Sequence, residues 1–161
     1  MTLNTADIKL LQQLQQDASI QLDALSHICG LSIASVQRRL KKLRESGIIA
    51  REVAVLEPKP LAQNLPQKHN NFMHFIVNVE MERERIDQLD TFKRIIKKEP
   101  QVQQCYYVTG EADFTLVCIA RDMTDFEALT QRLFFNNGNI RRFKTSVVMD
   151  CTKVSLALPL E

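Results

Sequence analysis

The stretch Leu31–Ile49, "LSIASVQRRLKKLRESGII", sets five cations and one carboxylate on a short segment that runs into a glycine. Ser32 offers a side-chain oxygen at its start, where a helix leaves backbone N–H groups unpaired. Ile33, Val36, Leu40 and Leu43 then recur at three- and four-residue intervals, and Gly47 supplies the residue best suited to close a helix. The spacing predicts one helix with one apolar face. At about 100° per residue, Arg38 falls almost opposite that face. Ala34, Ser35, Lys41 and Lys42 flank Arg38, and Gln37 and Arg39 sit at the margins.

Such a helix presents small residues on its first turn and long cations beyond it. That shape fits a major groove, where the N-terminal residues approach base edges and the cations meet phosphate. Ser32, Ala34, Ser35 and Arg38 are the candidates for base reading, Arg39, Lys41 and Lys42 for phosphate, and Gln37 lies beside them. A cationic face can also serve solubility alone, so the surroundings decide.

Upstream, "QLDALSHICG" repeats helical spacing with Leu22, Leu25 and Ile28 and ends at Gly30. Only Gly30 and Leu31 then precede Ser32, which is the tight glycine-containing connection of a helix-turn-helix. Further upstream, "NTADIKLLQQLQQDA" places Ile8, Leu11 and Leu14 on one side with Leu10 beside them, and Asn4 or Thr5 can cap it. Three helices in fewer than fifty residues, with one-sided cations on the third, favour DNA binding.

Downstream, "IIAREVAVL" is β-branched and extended in character, and "EPKPLAQNLPQKHNN" holds prolines at 58, 60 and 66. Because proline breaks both helix and ladder, 57–71 reads as a linker between a domain at 1–56 and a second at 72–161. In the second, Met73, Phe75, Val77 and Val79 alternate as a strand does. A helix follows with Ile86, Leu89, Phe92, Lys93 and Ile96 on one side, stopped by Pro100. "VQQCYYVTGEADFTLVCIA" is a hairpin turning through Thr109, Gly110, Glu111 and Ala112. "TDFEALTQRLFF" opens with Thr124 and Glu127 at capping-box spacing, and "IRRFKTSVVMDC" is a last strand. The order β-α-β-β-α-β is that of a ferredoxin-like unit. The fold class is α+β: a winged-helix-like helix-turn-helix domain followed by a ferredoxin-like domain.

Composition agrees with a folded chain, since 45% hydrophobic and 25% charged residues can build a core. Residues 1–56 hold seven Lys/Arg against five Asp/Glu and the rest balance at fourteen each, so the net +2 is a local patch. No apolar run approaches the ~18 residues a bilayer crossing needs, and "MTLNTADIKLL" lacks a signal-peptide pattern, so a cytoplasmic protein away from membranes is expected. Cys29, Cys105, Cys118 and Cys151 are scattered without metal-ligand spacing and are expected to be reduced, mostly buried thiols. No catalytic set, phosphate loop, metal cluster or cofactor motif is visible. His27 reads as lying by a buried stripe and His69 and His74 as flanking the linker, so the chain is not expected to be an enzyme.

The runs "DIKLLQQLQ", "LSHICGLSIASVQRRLKKLRESGII" and "YYVTGEADFTL" together resemble the leucine-responsive regulator/AsnC family of transcription factors, from Leu3 to about Leu158. The resemblance implies a sequence-specific DNA-binding regulator that forms dimers through its C-terminal domain, sometimes octamers, and binds small effectors, usually amino acids. The family's G-x-x-D falls on Gly110 and Asp113. By that analogy Tyr107, Thr109, Gly110 and Asp113 line an effector site, with Thr145 contributed from another subunit. From the residues alone, Gly110 can be a hairpin glycine and Asp113 a turn carboxylate. Apolar residues on both faces of the strands, such as Phe75 with Ile76 and Leu116 with Val117, suggest a sheet-to-sheet contact between copies and hence a pseudo-palindromic operator. The competing reading is an amino-acid sensor that acts through protein partners, with the N-terminal helices as a docking module.

Overall fold

The computed structural model describes residues 2–66, 72–83 and 85–160; His69 and the 67–71 part of the expected linker lie outside the described residues. The chain forms two compact units, Met1–Val55 with Lys153–Glu161, and Leu56–Thr152. The second domain was expected to run to 161. In the structure the tail from Lys153, which carries no helix or strand, hydrogen-bonds to the first helix of the chain and groups with the first unit.

In the first unit, α1 (Thr5–Gln16), α2 (Leu22–Cys29) and α3 (Ile33–Glu45) bury Leu10, Leu25, Val36 and Leu40 together, with Leu14, Ile20, Leu22, Cys29 and Leu31 packed against them. Asn4 caps α1 in a reciprocal box: its side chain accepts from the Ala6 and Asp7 amides, and Asp7 accepts from the Asn4 amide. Gly30 ends α2 at φ 63°, ψ 38°, its N–H donating to His27 O while the Leu31 N–H donates to Ser26 O at 2.9 Å. This Schellman turn needs a left-handed residue and redirects the chain into α3 within two residues. Ile28 and Ile33, expected in the apolar stripes, stand at the helix ends on either side of that turn and are 46% and 44% exposed. His27 is also exposed, 3.6 Å from Asp23, rather than beside a buried stripe. Residues 50–57 carry no ladder, and Val53 and Val55 are exposed.

In the second unit, α4 (Pro58–Asn64) occupies what reads as a helix-free linker. The physical reason is position: Pro58 and Pro60 stand in the first turn, where no N–H partner is needed and a fixed φ suits the helix. Then come β1 (Met73–Met81), α5 (Ile86–Ile96), β2 (Val102–Tyr107), β3 (Phe114–Ala120), α6 (Met123–Thr130) and β4 (Ile140–Val147). They form one antiparallel sheet ordered β2-β3-β1-β4. Phe75, Val77, Val79 and Met81 face the helices as their alternation requires, meeting Leu89, Phe92 and Ile96 of α5 and Phe126 and Leu129 of α6. Phe75 stacks on Phe126 at 3.7 Å, and Phe92 tilts on Phe114 at 4.9 Å. Ile86, expected on the buried side, stands exposed at the first position of α5. Helix α6 is capped by Asp122, which accepts from the Asp125 amide, not by Thr124; the anionic side chain two residues earlier reaches the orphan N–H first. It continues through a π-helical turn, Gln131–Phe135, that buries Leu133 and Phe134.

Candidate nucleic-acid interface and effector hairpin

The cap of α3 begins a polar line along its exposed side. Ser32 Oγ accepts from the Ser35 amide at 3.3 Å and donates to Ser35 Oγ at 3.0 Å, and Arg38 Nη2 donates to Ser35 Oγ at 3.4 Å. Positions 32, 35 and 38 thus form one row at three-residue spacing, with Ala34 and Gln37 exposed beside it. The row presents hydroxyls and a guanidinium, groups able to donate to and accept from base edges. Lys41 and Lys42 are exposed a turn further on; Lys41 reaches Glu45 only at 3.7 Å, a weak exposed pair.

Arg39, expected to face phosphate, also makes contacts within its own unit. Its Nη1 donates to Asp7 Oδ1 at 2.7 Å and to Asn4 Oδ1 at 3.2 Å, tying α3 to the capped start of α1. Burial by itself would push the Asp7 carboxyl up. The hydrogen bonds from the Asn4 amide and Arg39, with the charges of Arg39 and Lys42, outweigh it and hold the pKa below the ordinary 3.8. Sequence reasoning missed Asn4 and Asp7 as partners of the third helix. It also passed over Arg44, which donates to Glu52 at 2.8 Å and ties the end of α3 to the segment after it.

At the hairpin between β2 and β3, Asp113 spends most of its polar groups on the backbone. Its Oδ2 accepts from the Met81 amide at 2.6 Å, its N–H donates to Val79 O, and its carbonyl accepts from the Val108 amide. The carboxylate thereby closes the irregularity between Glu80 and Met81, where β1 leaves register with β4. Gly110 takes φ 130° at the tip, which favours glycine, and Thr109 beside it is exposed. Tyr107 is half exposed, its ring 5.1 Å from Phe114 and 5.1 Å from Lys93 Nζ. Tyr107, Thr109, Gly110 and Asp113 are therefore gathered at one end of the sheet. Thr145 is not: it pairs with Val77 on β4, and two strands separate β4 from β2. A depression of about 790 Å³ lies over the solvent side of α5 and contains none of these hairpin residues.

Cys118 is buried and its thiol is pushed up to about 12 by that burial. Cys29 and Cys105 are half-buried with thiols also raised by burial, while Cys151 is exposed, so "mostly buried" holds fully for Cys118 alone. Among the described residues no group of three or more His, Cys, Asp or Glu could hold a metal ion, and no helix is long and apolar enough to cross a membrane.

A helix-turn-helix with an exposed cationic third helix, joined to a ferredoxin-like unit, defines a transcriptional regulator with separate DNA-binding and ligand-binding domains. A family described as "Lrp/AsnC ligand binding domain" matches residues 74–158, and one described as "Winged helix-turn-helix DNA-binding" matches residues 3–50. The chain is 40% identical over 161 residues to an HTH-type transcriptional regulator of Sinorhizobium fredii, covering 100% of this chain and 90% of that one. Among solved structures it is similar to an AsnC family transcriptional regulator of Agrobacterium tumefaciens (TM-score 0.86, 25% identity, 98% and 97% coverage). It is also similar to a transcriptional regulator of Neisseria meningitidis solved as an L-Met complex (TM-score 0.85, 28% identity, 98% and 97% coverage). The chain belongs to the Lrp/AsnC family of transcriptional regulators.

Proposed function

We propose that the protein is a sequence-specific regulator that reads its operator with the exposed row of α3 and is modulated by an amino acid held at the hairpin. The row Ser32–Ser35–Arg38 carries this reading, because it offers aligned donors and acceptors on a helix whose opposite face is spent on the core. Ala34 and Gln37 lie against bases beside the row, Lys41 and Lys42 meet phosphate, and Arg39 positions the helix through Asp7.

At the hairpin, Thr109 and Gly110 offer a hydroxyl and a backbone N–H to a carboxylate, Tyr107 provides an apolar wall, and Asp113 shapes the loop. The L-Met complex of the Neisseria meningitidis relative supports the class of effector. Since Thr145 lies away from its own hairpin, the complete site draws Thr145 from another copy. The open sheet face supports such assembly, as Ile76 is 39% exposed there while its neighbours Phe75 and Val77 are fully buried. A homodimer, closing further into an octamer, would set two recognition helices on a pseudo-palindromic operator. The chain works in the cytoplasm, where the DNA is, without catalysis.

The test is binding of the purified protein to the DNA upstream of its own gene against random DNA, with a panel of amino acids. Selective binding that one amino acid shifts is expected, and Arg38→Ala should narrow the operator preference by about 1–3 kcal/mol. Equal, weak binding to both DNAs would overturn the reading and favour a sensor acting through a protein partner.

A further inference from the structure

The tail that joins the first unit does so through its backbone. The Leu158 N–H donates to Gln15 Oε1 at 2.6 Å while Gln15 Nε2 donates to the Leu158 carbonyl at 3.1 Å, and Gln12 Nε2 donates to the Leu160 carbonyl at 2.8 Å. One glutamine amide thus answers both polar groups of a single residue, as the neighbouring strand of an antiparallel pair would. Leu158 and Leu160 are two apart in a segment without helix or strand, and both direct their carbonyls to α1, as alternate residues on one edge of a strand would. Gln12 and Gln15 are three apart and share one side of α1. The intervening Pro159 has no N–H to leave unpaired. Ser155 Oγ accepts from the Ala157 amide at 3.1 Å and holds the approach to the docked residues. Val154, Leu156 and Leu158 are 69–75% exposed, so hydrogen bonds rather than apolar burial hold the segment.

The geometry points to the outer edge of α1 as a docking site for an extended peptide, with residues 153–160 of this same chain as its occupant. The segment is a strap. It leaves the second unit just after β4 and returns the chain to the helix-turn-helix, so the DNA-reading unit is joined by two chain connections instead of one. A doubly tethered unit samples fewer arrangements before it meets DNA and loses less freedom on binding. Docking within one chain also benefits from a high effective concentration, which lets three hydrogen bonds suffice.

Residue-resolved amide exchange on the full chain tests this. The Leu158 amide is expected to be protected and to exchange about tenfold faster in Gln15→Ala, which removes both of its partners. Gln15→Glu, which keeps an acceptor for that N–H, should retain part of the protection. Removal of residues 153–161 should speed exchange in α1, leave the sheet of the second unit protected as before, and weaken operator binding several-fold. Leu158 exchange at the unprotected rate in the unaltered protein, or unchanged by Gln15→Ala, would overturn the assignment. Protection that vanishes when copies dissociate on dilution would overturn its intrachain form, because the tail would then come from a second copy.

Discussion

The guanidinium of Arg39 stands 2.7 Å from Asp7 Oδ1, whereas that of Arg38, one residue earlier, reaches Ser35 at 3.4 Å on the exposed side of the same helix. Both are margin or surface cations when placed on a helical wheel. What separates them is a carboxylate 32 residues away on another helix, which no local pattern reveals. Asp113 has a parallel history: its type and turn position were legible, but its bond to the Met81 amide depends on a β1 irregularity that only pairing creates. The Asp7 pair carries a stability prediction. Asp7→Ala strands Arg39 and removes half of the capping box, and should lower unfolding free energy by about 1–3 kcal/mol at neutral pH. The folded pKa of Asp7 lies below the ordinary carboxylate value, so this stabilisation is complete above the unfolded pKa and is lost as pH falls through the folded one. Denaturant unfolding at pH 7 and at progressively more acid pH should show the two proteins converging at the acid end.

Elements were legible wherever one face had to be buried. The periodicity of α1 to α3 and the alternation of β1 and β3 follow directly from which side meets the core, and glycine at a turn announces itself. Legibility failed where position within an element outweighed residue type. Two prolines start α4 rather than prevent it, and Asp122 outcompetes Thr124 as a cap. The π-helical turn after α6 has no sequence period of its own; within it Phe134 is buried while the adjacent Phe135 is 64% exposed. The turn between α2 and α3 gives a prediction at this scale. A methyl group at position 30 would meet nothing within 4 Å, so Gly30→Ala tests the left-handed backbone alone. It should cost about 1–2 kcal/mol, read as a lowered unfolding midpoint of the N-terminal unit.

For the whole molecule, the distribution of charge sets how DNA affinity responds to salt. With Arg39 committed to Asp7, three side chains of the notional four remain for anionic contact on each α3: Arg38, Lys41 and Lys42. The logarithm of the binding constant should then fall against the logarithm of salt with a slope of about −3 for one chain and about −5 for a twofold assembly. Binding titrations across a salt series, beside a measured mass of the complex, check both the count of cations and the assembly. A slope near zero would remove α3 from the DNA.

The division of the first unit into Met1–Val55 and Lys153–Glu161 also has a consequence for synthesis. On the ribosome the three helices emerge early and can pack around Leu10, Leu25, Val36 and Leu40, yet the strap that closes them is translated only after the entire sheet domain. A nascent or prematurely terminated chain therefore displays a helix-turn-helix without its second tether. By the proposed role of the strap, a fragment that stops before Lys153 should bind operator several-fold more weakly than the chain that carries residues 153–160, so the order of translation would delay tight DNA binding until the sheet domain has been made.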